Sequence, residues 1–554
     1  MRQESQQNTV VGVWDGHDAG AALVVGGQLV AASSEERHTR RKNQGGWPQQ
    51  SIAEVLALQG ISASAVDTVA VAGCFGRAPA RLFNRQYAAQ DPRRIDPLAL
   101  NSQAFAAFQH AIAALPGVRA TEQWAGAQPI RRALAELGLQ RAKLQFVDHH
   151  RAHAAGAAAW LGAPGLIVTM DGYGDGVSLA VWRAGEGRLQ RLFAAGPRAS
   201  LALVYGAANR LLGFAEGEEG KVTGLAAQGN PHAAWTAGLA RCIRVGNGTC
   251  AIDQTDAVGV LRAALHRGIS PADLAAGVHA TVAQAATAVV DDWLLSTGLR
   301  HLAVSGGLFA NVALNGTLAA RDLTAFAVCP AMGDQGLCAG AALAAAGSLA
   351  GSWPTVLLGH TIATTAGPDP RAVAEVLAAG GLVAVARGAL EFGPRALGNR
   401  SILADPRAPA AADRLNAALQ RHDFMPFAPV VAVESWPAIF AVPLERVRAS
   451  AAAMTLALPT SPAFQAQAPA AVHCDGTARP QAVNTHDSAW LHAVLRHFTQ
   501  LTGCPALLNT SLNRHGEPIA RTLGEARAVA VAAQLDWLVA GDTLEALRPV
   551  AGVG

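Results

Sequence analysis

The 554-residue sequence contains no uninterrupted apolar run of about 18 residues, so nothing in it is long enough to span a bilayer, although 51% of it is hydrophobic. The opening stretch MRQESQQNTVVGVWDG lacks the apolar core and cleavage pattern of a secretory signal, and the reading is a soluble cytoplasmic protein. Its 7 cysteines include no C-x-x-C pair and are odd in number. That argues against both a zinc ribbon and a disulfide framework, leaving buried free thiols. No H-E-x-x-H occurs, so the glutamate of that class of metalloprotease is missing. Basic residues are dispersed and the net charge is only +3, which is not the continuous footprint of a nucleic-acid binder. Lysine is scarce while Ala, Gly and Arg are abundant, which reflects a GC-rich genome and not chemistry.

What is present begins with a duplication. VVGVWDGHDAGAALVVGGQLVAASSEE (10–36) and LIVTMDGYGDGVSLAVWRAGEGRLQRLFAA (166–195) share one pattern. Each has a buried-looking strand, an Asp-Gly, three residues, a Gly, a second strand, a turn and a third strand. Asp15-Gly16 aligns with Asp171-Gly172, and Gly20 with Gly176. Glycines at such loops let backbone N–H groups approach a phosphate, and a carboxylate at the strand end can hold a cation or a water. Two facing copies are the layout of the actin-like nucleotide-binding fold; two unrelated hairpins with Asp-Gly turns are the plain alternative. A third piece, LAVSGGLFANVALNGTLAARD (302–322), runs from a strand through Gly306-Gly307 into a helix carrying Asn311. That junction, with Gly172 and Gly174, is where a nucleotide or phosphate is expected. Asp334 then sits among glycines ahead of a small-residue helix, either capping it or facing the cleft.

VDHHRAHAAGAAAW (147–160) predicts a helix capped by Asp148. His149 and His153 fall at i and i+4 on one face, and His150 points elsewhere. Two imidazoles at that spacing can bind one cation if carboxylates complete the sphere, Asp171 and Asp334 being the candidates. An exposed histidine pair is the alternative when the two are taken alone.

These stretches, with EERHTRRKNQGGWP, GEEGKVTGLAAQG, GDQGLCAGAAL, EFGPRALGNRSILADPR, PFAPVV, HCDGTARPQAV and TGCPALLNTSLNRHGEPI, resemble the O-carbamoyltransferases of the nodulation and antibiotic-tailoring type. The resemblance implies an α/β protein: an actin-like (ASKHA, Kae1-like) duplicated domain over 1–355, then a YrdC-like α/β domain over 356–554. The Gly/Pro/Thr-rich segment 345–370 would be a surface linker between them. The second domain would form carbamoyl adenylate from carbamoyl phosphate and ATP with its Mg2+. The first would pass the carbamoyl group to a hydroxyl of a small-molecule acceptor. Ferrous iron would be held by His149, His153, Asp171 and Asp334, with His17 and Lys42 touching the reactive group. Asp15 or Asp18 could act as general base or merely fix the loop, and Glu219 and Lys221 could line the cleft or pair together. Arg395, Arg400, Arg421 and Arg479 would converge on the anionic substrates, with Asn509, Ser511 and Asn513 adding neutral hydrogen bonds.

In one place the chain departs from its relatives, which usually read Lys-x-Arg and then Phe-Arg-Pro-Phe-Ala-Pro. Here LQRHDFMPFAPVV puts Gln420 near the usual Lys and Met425 in place of the Arg before Pro426. Losing two cations beside a dianion weakens its binding unless Arg421 or His422 compensates. Segment 80–145 reads as an insertion suited to acceptor specificity or homodimer contacts. The rival readings are threonylcarbamoyl transfer to tRNA, an actin-like nucleotide-binding protein without transfer, and a simple metallohydrolase. No nucleic acid or membrane partner is expected.

Overall fold

The computed structural model describes residues 8–75, 115, 117–215, 217–231, 234–349, 351–419 and 427–548. Contacts divide the chain into two compact units. The first comprises Met1–Thr39, Asn43–Leu314 and Asp322–Thr355; the second comprises Arg40–Lys42, Asn315–Arg321 and Val356–Gly554.

The first unit is built on two five-stranded sheets. β1 (Thr9–Trp14), β2 (Gly20–Val25) and β3 (Gln28–Ser34) form an antiparallel meander, and β4 (Thr68–Ala72) and β5 (Lys143–Val147) extend it in parallel beside β1. β6 (Gly165–Gly174), β7 (Val177–Gly185) and β8 (Arg188–Ala195) form a second meander. After a small hairpin of β9 (Ile243–Gly246) and β10 (Thr249–Ile252), β11 (His301–Ser305) and β12 (Ala325–Val328) add in parallel beside β6. The two orders, β3-β2-β1-β4-β5 and β8-β7-β6-β11-β12, are the same. The repeat read from Asp15-Gly16 and Asp171-Gly172 is therefore a duplication of whole sheets, in the actin-like α/β arrangement.

β1 is buried along its full length, as a central strand covered on both faces must be. One cover is the helix Leu337–Ala346, which lies against β1 and against the helix His149–Leu161. Its fit needs missing side chains. A Cβ on Gly12 would come within 1.9 Å of the Cys338 carbonyl oxygen, and one on Gly340 within 1.9 Å of that of Ala152. The Ala-Gly runs of both helices thus allow close backbone approach, and that approach carries Asp334 toward the histidines.

The second unit centres on a seven-stranded mixed sheet. β13 (Leu357–Ile362) pairs with β15 (Gly388–Glu391) outside it, and β18 (Leu458–Pro459) pairs with β19 (Thr477–Ala478). The sheet itself takes β14 (Val383–Ala386), β16 (Arg400–Ala404), β17 (Ala428–Ala432), β20 (Gln481–Val483), β21 (Ala506–Ser511), β22 (Trp537–Ala540) and β23 (Thr543–Ala546) in the order β20-β17-β21-β16-β14-β22-β23. Segment 345–370 is not the surface linker its composition suggested. Ser352 and Trp353 are buried, the Ser352 carbonyl accepts the Leu29 N–H, and β13 lies within the segment. Of the inserted segment 80–145, residues 80–114 and 116 lie outside the described residues; the rest includes the helix Val118–Glu136. No helix among the described residues is long and apolar enough to cross a membrane.

Candidate metal centre and basic pocket

Asp148 caps the helix His149–Leu161, its side chain accepting the Arg151 N–H. The cap starts the helix where His149 and His153 share a face, their ring centroids 4.8 Å apart. β6 delivers Asp171, and the turn before the helix Leu337–Ala346 delivers Asp334. One ligand atom from each of the four residues lies within 4.8 Å of all the others. His149 Nε2 is 3.1 Å from Asp171 Oδ2 and 3.5 Å from Asp334 Oδ1, and His153 Nε2 is 3.5 Å from Asp334 Oδ1.

The surrounding hydrogen bonds turn the ligand atoms toward one another, with His149 Nε2 and Asp171 Oδ2 themselves hydrogen-bonded at 3.1 Å. Ser305 Oγ donates its single proton to the Met332 carbonyl, so toward His153 Nδ1 at 3.2 Å it can only accept. His153 is thereby held as the Nδ1–H tautomer with the Nε2 lone pair turned to the cluster, and buried Nε2 has no hydrogen-bond partner among the described residues. Asp171 Oδ1 accepts the Gly307 N–H at 2.8 Å, leaving Oδ2 for the cluster. Burial disfavours charge on His149, but Asp334 and Asp171 outweigh it and push its pKa up to about 9. Burial likewise opposes charge on the two aspartates, and the histidines hold both below the ordinary carboxylate value. Two nitrogens and two oxygens with an unpartnered imidazole nitrogen suit a borderline first-row divalent metal, and not the all-oxygen preference of Mg2+ or Ca2+.

His150 is a prop. Its ring spans Thr169 Oγ1 at 2.8 Å and the Val177 carbonyl at 2.9 Å, and burial beside two histidines lowers its pKa to about 4. His17 stands beside the cluster with its side chain 57% exposed, Nε2 3.4 Å from Asp334 Oδ2 and Nδ1 3.3 Å from Asp18 Oδ2. What burial it has lowers its pKa, and Asp334 and Asp18 raise it by more, so it is held above the ordinary value. Asp18 also accepts from Asn43 Nδ2, which fixes the loop, and Asp15 is buried. Lys221 pairs with Glu218 at 2.8 Å and not with Glu219.

The glycines expected to cradle phosphate have nearer tasks. A Cβ on Gly174 would meet the His149 ring at 2.2 Å; Gly306 sits at φ +107° with its N–H bonded to the Met332 carbonyl; the Gly307 N–H serves Asp171. Asn311 accepts the Leu314 N–H and lies 3.0 Å from His279 Nδ1. Gly172 alone of these faces open space.

In the second unit, a cavity of about 140 Å³ is lined by Arg395, Arg479, Asn509, Ser511, Asn513 and, from the segment Arg40–Lys42, Lys42. Lys42 therefore belongs with this unit's cations rather than in the first unit's cluster. Arg400 does not reach the cavity. It is fully buried, and its guanidinium donates to the carbonyls of Arg387, Gly388, Asn399, His360 and Arg521. The charge that looked suited to an anion braces backbone instead. Glu391 Oε1 accepts the N–H groups of Leu397, Asn399 and Arg400, fixing the loop that presents Arg395. Arg421, Gln420 and Met425 lie outside the described residues.

The sequence reading missed Ser305, Glu391, Asp175 and Trp14. Trp14 Nε1 donates to the His17 carbonyl at 2.6 Å, and its ring meets His149 edge-on at 5.6 Å. Each of the four lies within a quoted stretch: Asp175 is the second acid of MDGYGDG, Ser305 precedes Gly306-Gly307, Glu391 opens EFGPRALGNRSILADPR, and Trp14 precedes Asp15-Gly16.

The family model described as Carbamoyltransferase N-terminus matches residues 9–343, and that described as Carbamoyltransferase C-terminus matches residues 374–546. The chain belongs to the carbamoyltransferase family. It is an enzyme, a transferase of carbamoyl groups. It is 30% identical over 562 residues to nodulation protein NolNO of Sinorhizobium fredii, covering 95% of this chain and 78% of that protein. With 3'-hydroxymethylcephem-O-carbamoyltransferase of Streptomyces clavuligerus this carbamoyltransferase shares 32% identity over 265 residues, 44% of this chain and 48% of that one. Among solved structures, the (R)-2-hydroxyglutaryl-CoA dehydratase component A of Acidaminococcus fermentans overlaps 61% of this chain and 97% of its own, at 14% identity and a TM-score of 0.34. That likeness adds nothing to the strand order.

Proposed function

We propose that the protein is an ATP-dependent O-carbamoyltransferase working in the cytoplasm on a small-molecule hydroxyl. The second unit, read as YrdC-like, combines carbamoyl phosphate, water and ATP to give carbamoyl adenylate, phosphate and pyrophosphate. In the first unit the acceptor oxygen forms a bond to the carbamoyl carbon, the carbon–oxygen bond to AMP breaks, and the hydroxyl proton leaves to a base. The observation that carries the reading is the largely buried His149–His153–Asp171–Asp334 cluster with one imidazole nitrogen unpartnered among the described residues.

A ferrous ion held by those four residues would supply positive charge for the carbonyl oxygen as it becomes an oxyanion. His17, kept charged by Asp334 and Asp18, would stabilise the departing phosphate. Asp18 and Trp14 hold His17 in place through its ring and its carbonyl. In the second unit Lys42, Arg395 and Arg479 would bind the phosphates, while Asn509, anchored to Gln481 Oε1 at 2.7 Å, shapes the wall. A relative named for carbamoylating a hydroxymethyl group supports an alcohol acceptor.

The test is incubation with ATP, carbamoyl phosphate and Fe2+ while following pyrophosphate and phosphate, with and without candidate alcohols. Pyrophosphate should appear with AMP and a carbamate ester. If no pyrophosphate forms under any acceptor condition, adenylation is refuted.

A further inference from the structure

We infer that Asp175 is a positioning residue for the metal centre, a carboxylate that locks the β6–β7 hairpin carrying Asp171 to the helix carrying His149 and His153. This rests on the metal-centre reading above. Asp175 sits at the hairpin tip at φ +53°, four residues after Asp171, and is only 6% exposed. Its Oδ2 accepts the His149 N–H at 2.8 Å, the first amide of the ligand helix. Its Oδ1 accepts the Phe75 N–H at 2.7 Å, and both oxygens lie 2.9 Å from the Cys74 nitrogen beyond the end of β4. One side chain thus joins three elements, two of which supply three of the four ligands.

A buried carboxylate is costly unless its lone pairs are used, and here backbone donors use both oxygens. Only an acceptor-only group fits. An asparagine would turn its NH2 toward His149 N–H or toward Cys74 and Phe75, setting donor against donor. The hairpin tip would then lose its hold on the helix. Metal–ligand distances tolerate about 0.2 Å, so a small swing of Asp171 away from the imidazoles weakens binding. Outer groups that orient ligands are worth about 10–100-fold in metal affinity.

The experiment titrates the full-length protein with Co2+, following the visible ligand-field bands, in wild type, Asp175→Asn and Asp148→Ala. Asp148 caps the same helix through the Arg151 N–H, and among the described residues it makes no hydrogen bond to the hairpin, meeting Asp175 only through its charge. Asp175→Asn should raise the Co2+ Kd by about 10–100-fold, and Asp148→Ala by less than about threefold even as it loses a cap. Equal effects of the two would reduce Asp175 to a helix-end stabiliser and overturn the inference. An unchanged Kd in folded Asp175→Asn would overturn it while leaving the metal centre standing. A wild type that binds no Co2+ removes the metal centre and the inference together. Should Asp175→Asn fail to fold, hydrogen exchange on the wild type decides. Co2+ should slow the amides of Cys74, Phe75 and His149 together, and slowing of His149 alone would refute the lock.

Discussion

Gly174→Ala is the sharpest perturbation the site offers, because its effect is steric and falls on one proposed ligand, His149. Gly174 has no positive φ, so alanine brings no backbone strain there. Its Cβ would lie 2.2 Å from His149 Cγ, 2.3 Å from Cδ2 and 2.4 Å from Nδ1, where ordinary contact begins at 3.4 Å. The ring must retreat by about 1.2 Å, several times the tolerance of about 0.2 Å in a metal–ligand distance. It has little room, with Trp14 edge-on at 5.6 Å and His153 at 4.8 Å. Overpacking of this kind costs about 1–3 kcal/mol of stability. The displaced imidazole should raise the Co2+ Kd at least about 100-fold, close to 2.7 kcal/mol at 1.36 kcal/mol per tenfold. Gly172→Ala, two residues away, is the control: nothing lies within 4 Å of its Cβ, so Co2+ affinity should not change. Metal analysis and Co2+ absorption titration of both variants check this. Wild-type affinity and an unaltered spectrum in Gly174→Ala would show that His149 is not a ligand.

Other expectations bear on both units. Arg400→Met takes a charged donor from five buried or part-buried carbonyls and should cost the second unit about 3 kcal/mol in denaturant unfolding, with Co2+ affinity untouched; a loss under about 1 kcal/mol would contradict its bracing role. Lys42→Ala and Arg479→Ala should each weaken carbamoyl phosphate or ATP binding about tenfold in a pyrophosphate-release assay, again without changing Co2+ affinity, and an unaffected KM for both substrates would remove them from the anion pocket. Asp542 accepts from Thr364 Oγ1, from the N–H and Oγ1 of Thr365 and from the Gly367 N–H, which hold its carboxyl well below the ordinary 3.8. A depressed folded value means its contribution is fully present above 3.8 and fades only as pH falls through that lower value. Protection of the Thr365 and Gly367 amides, corrected for intrinsic exchange, should therefore stay constant from about pH 7 to 4, and a loss already near pH 5 would refute the assignment. Trp14→Phe keeps the ring against His149 but drops the N–H to the His17 carbonyl, so metal content should hold while kcat for carbamoyl transfer falls; loss of metal instead would make the indole N–H part of the metal site.

Much of the first unit is legible in the sequence. The Asp-Gly repeat spans local elements, three consecutive strands and their turns, and strand alternation and turn chemistry are written in contiguous residues. Asp148 as a cap and His149 and His153 on one face follow from helix periodicity alone. The sequence could not show which partner each polar group takes. Glycines at strand ends looked like a phosphate cradle because that is one use of a bare backbone. Here Gly174 makes room for an imidazole, and the Gly307 N–H serves a carboxylate 136 positions away. Arg400 looked like an anion ligand because its charge is visible in sequence, while the carbonyls around it belong to segments as far apart as His360 and Arg521.

The family motifs and the duplicated strand pattern were legible in the sequence, since they depend on residue identity and short-range periodicity, which a chain carries without folding. Asp171 and Asp334 were joined to the histidine pair through the family resemblance. Tertiary structure decided that Lys42 groups with Arg395 and Arg479, that Arg400 is a brace, and that Ser305 sets the tautomer of His153. It also decided that Asp175, second acid of MDGYGDG, grips the amide of His149. Each is a hydrogen bond or close contact between residues distant along the chain, and burial and packing, absent from the sequence pattern, choose that partner.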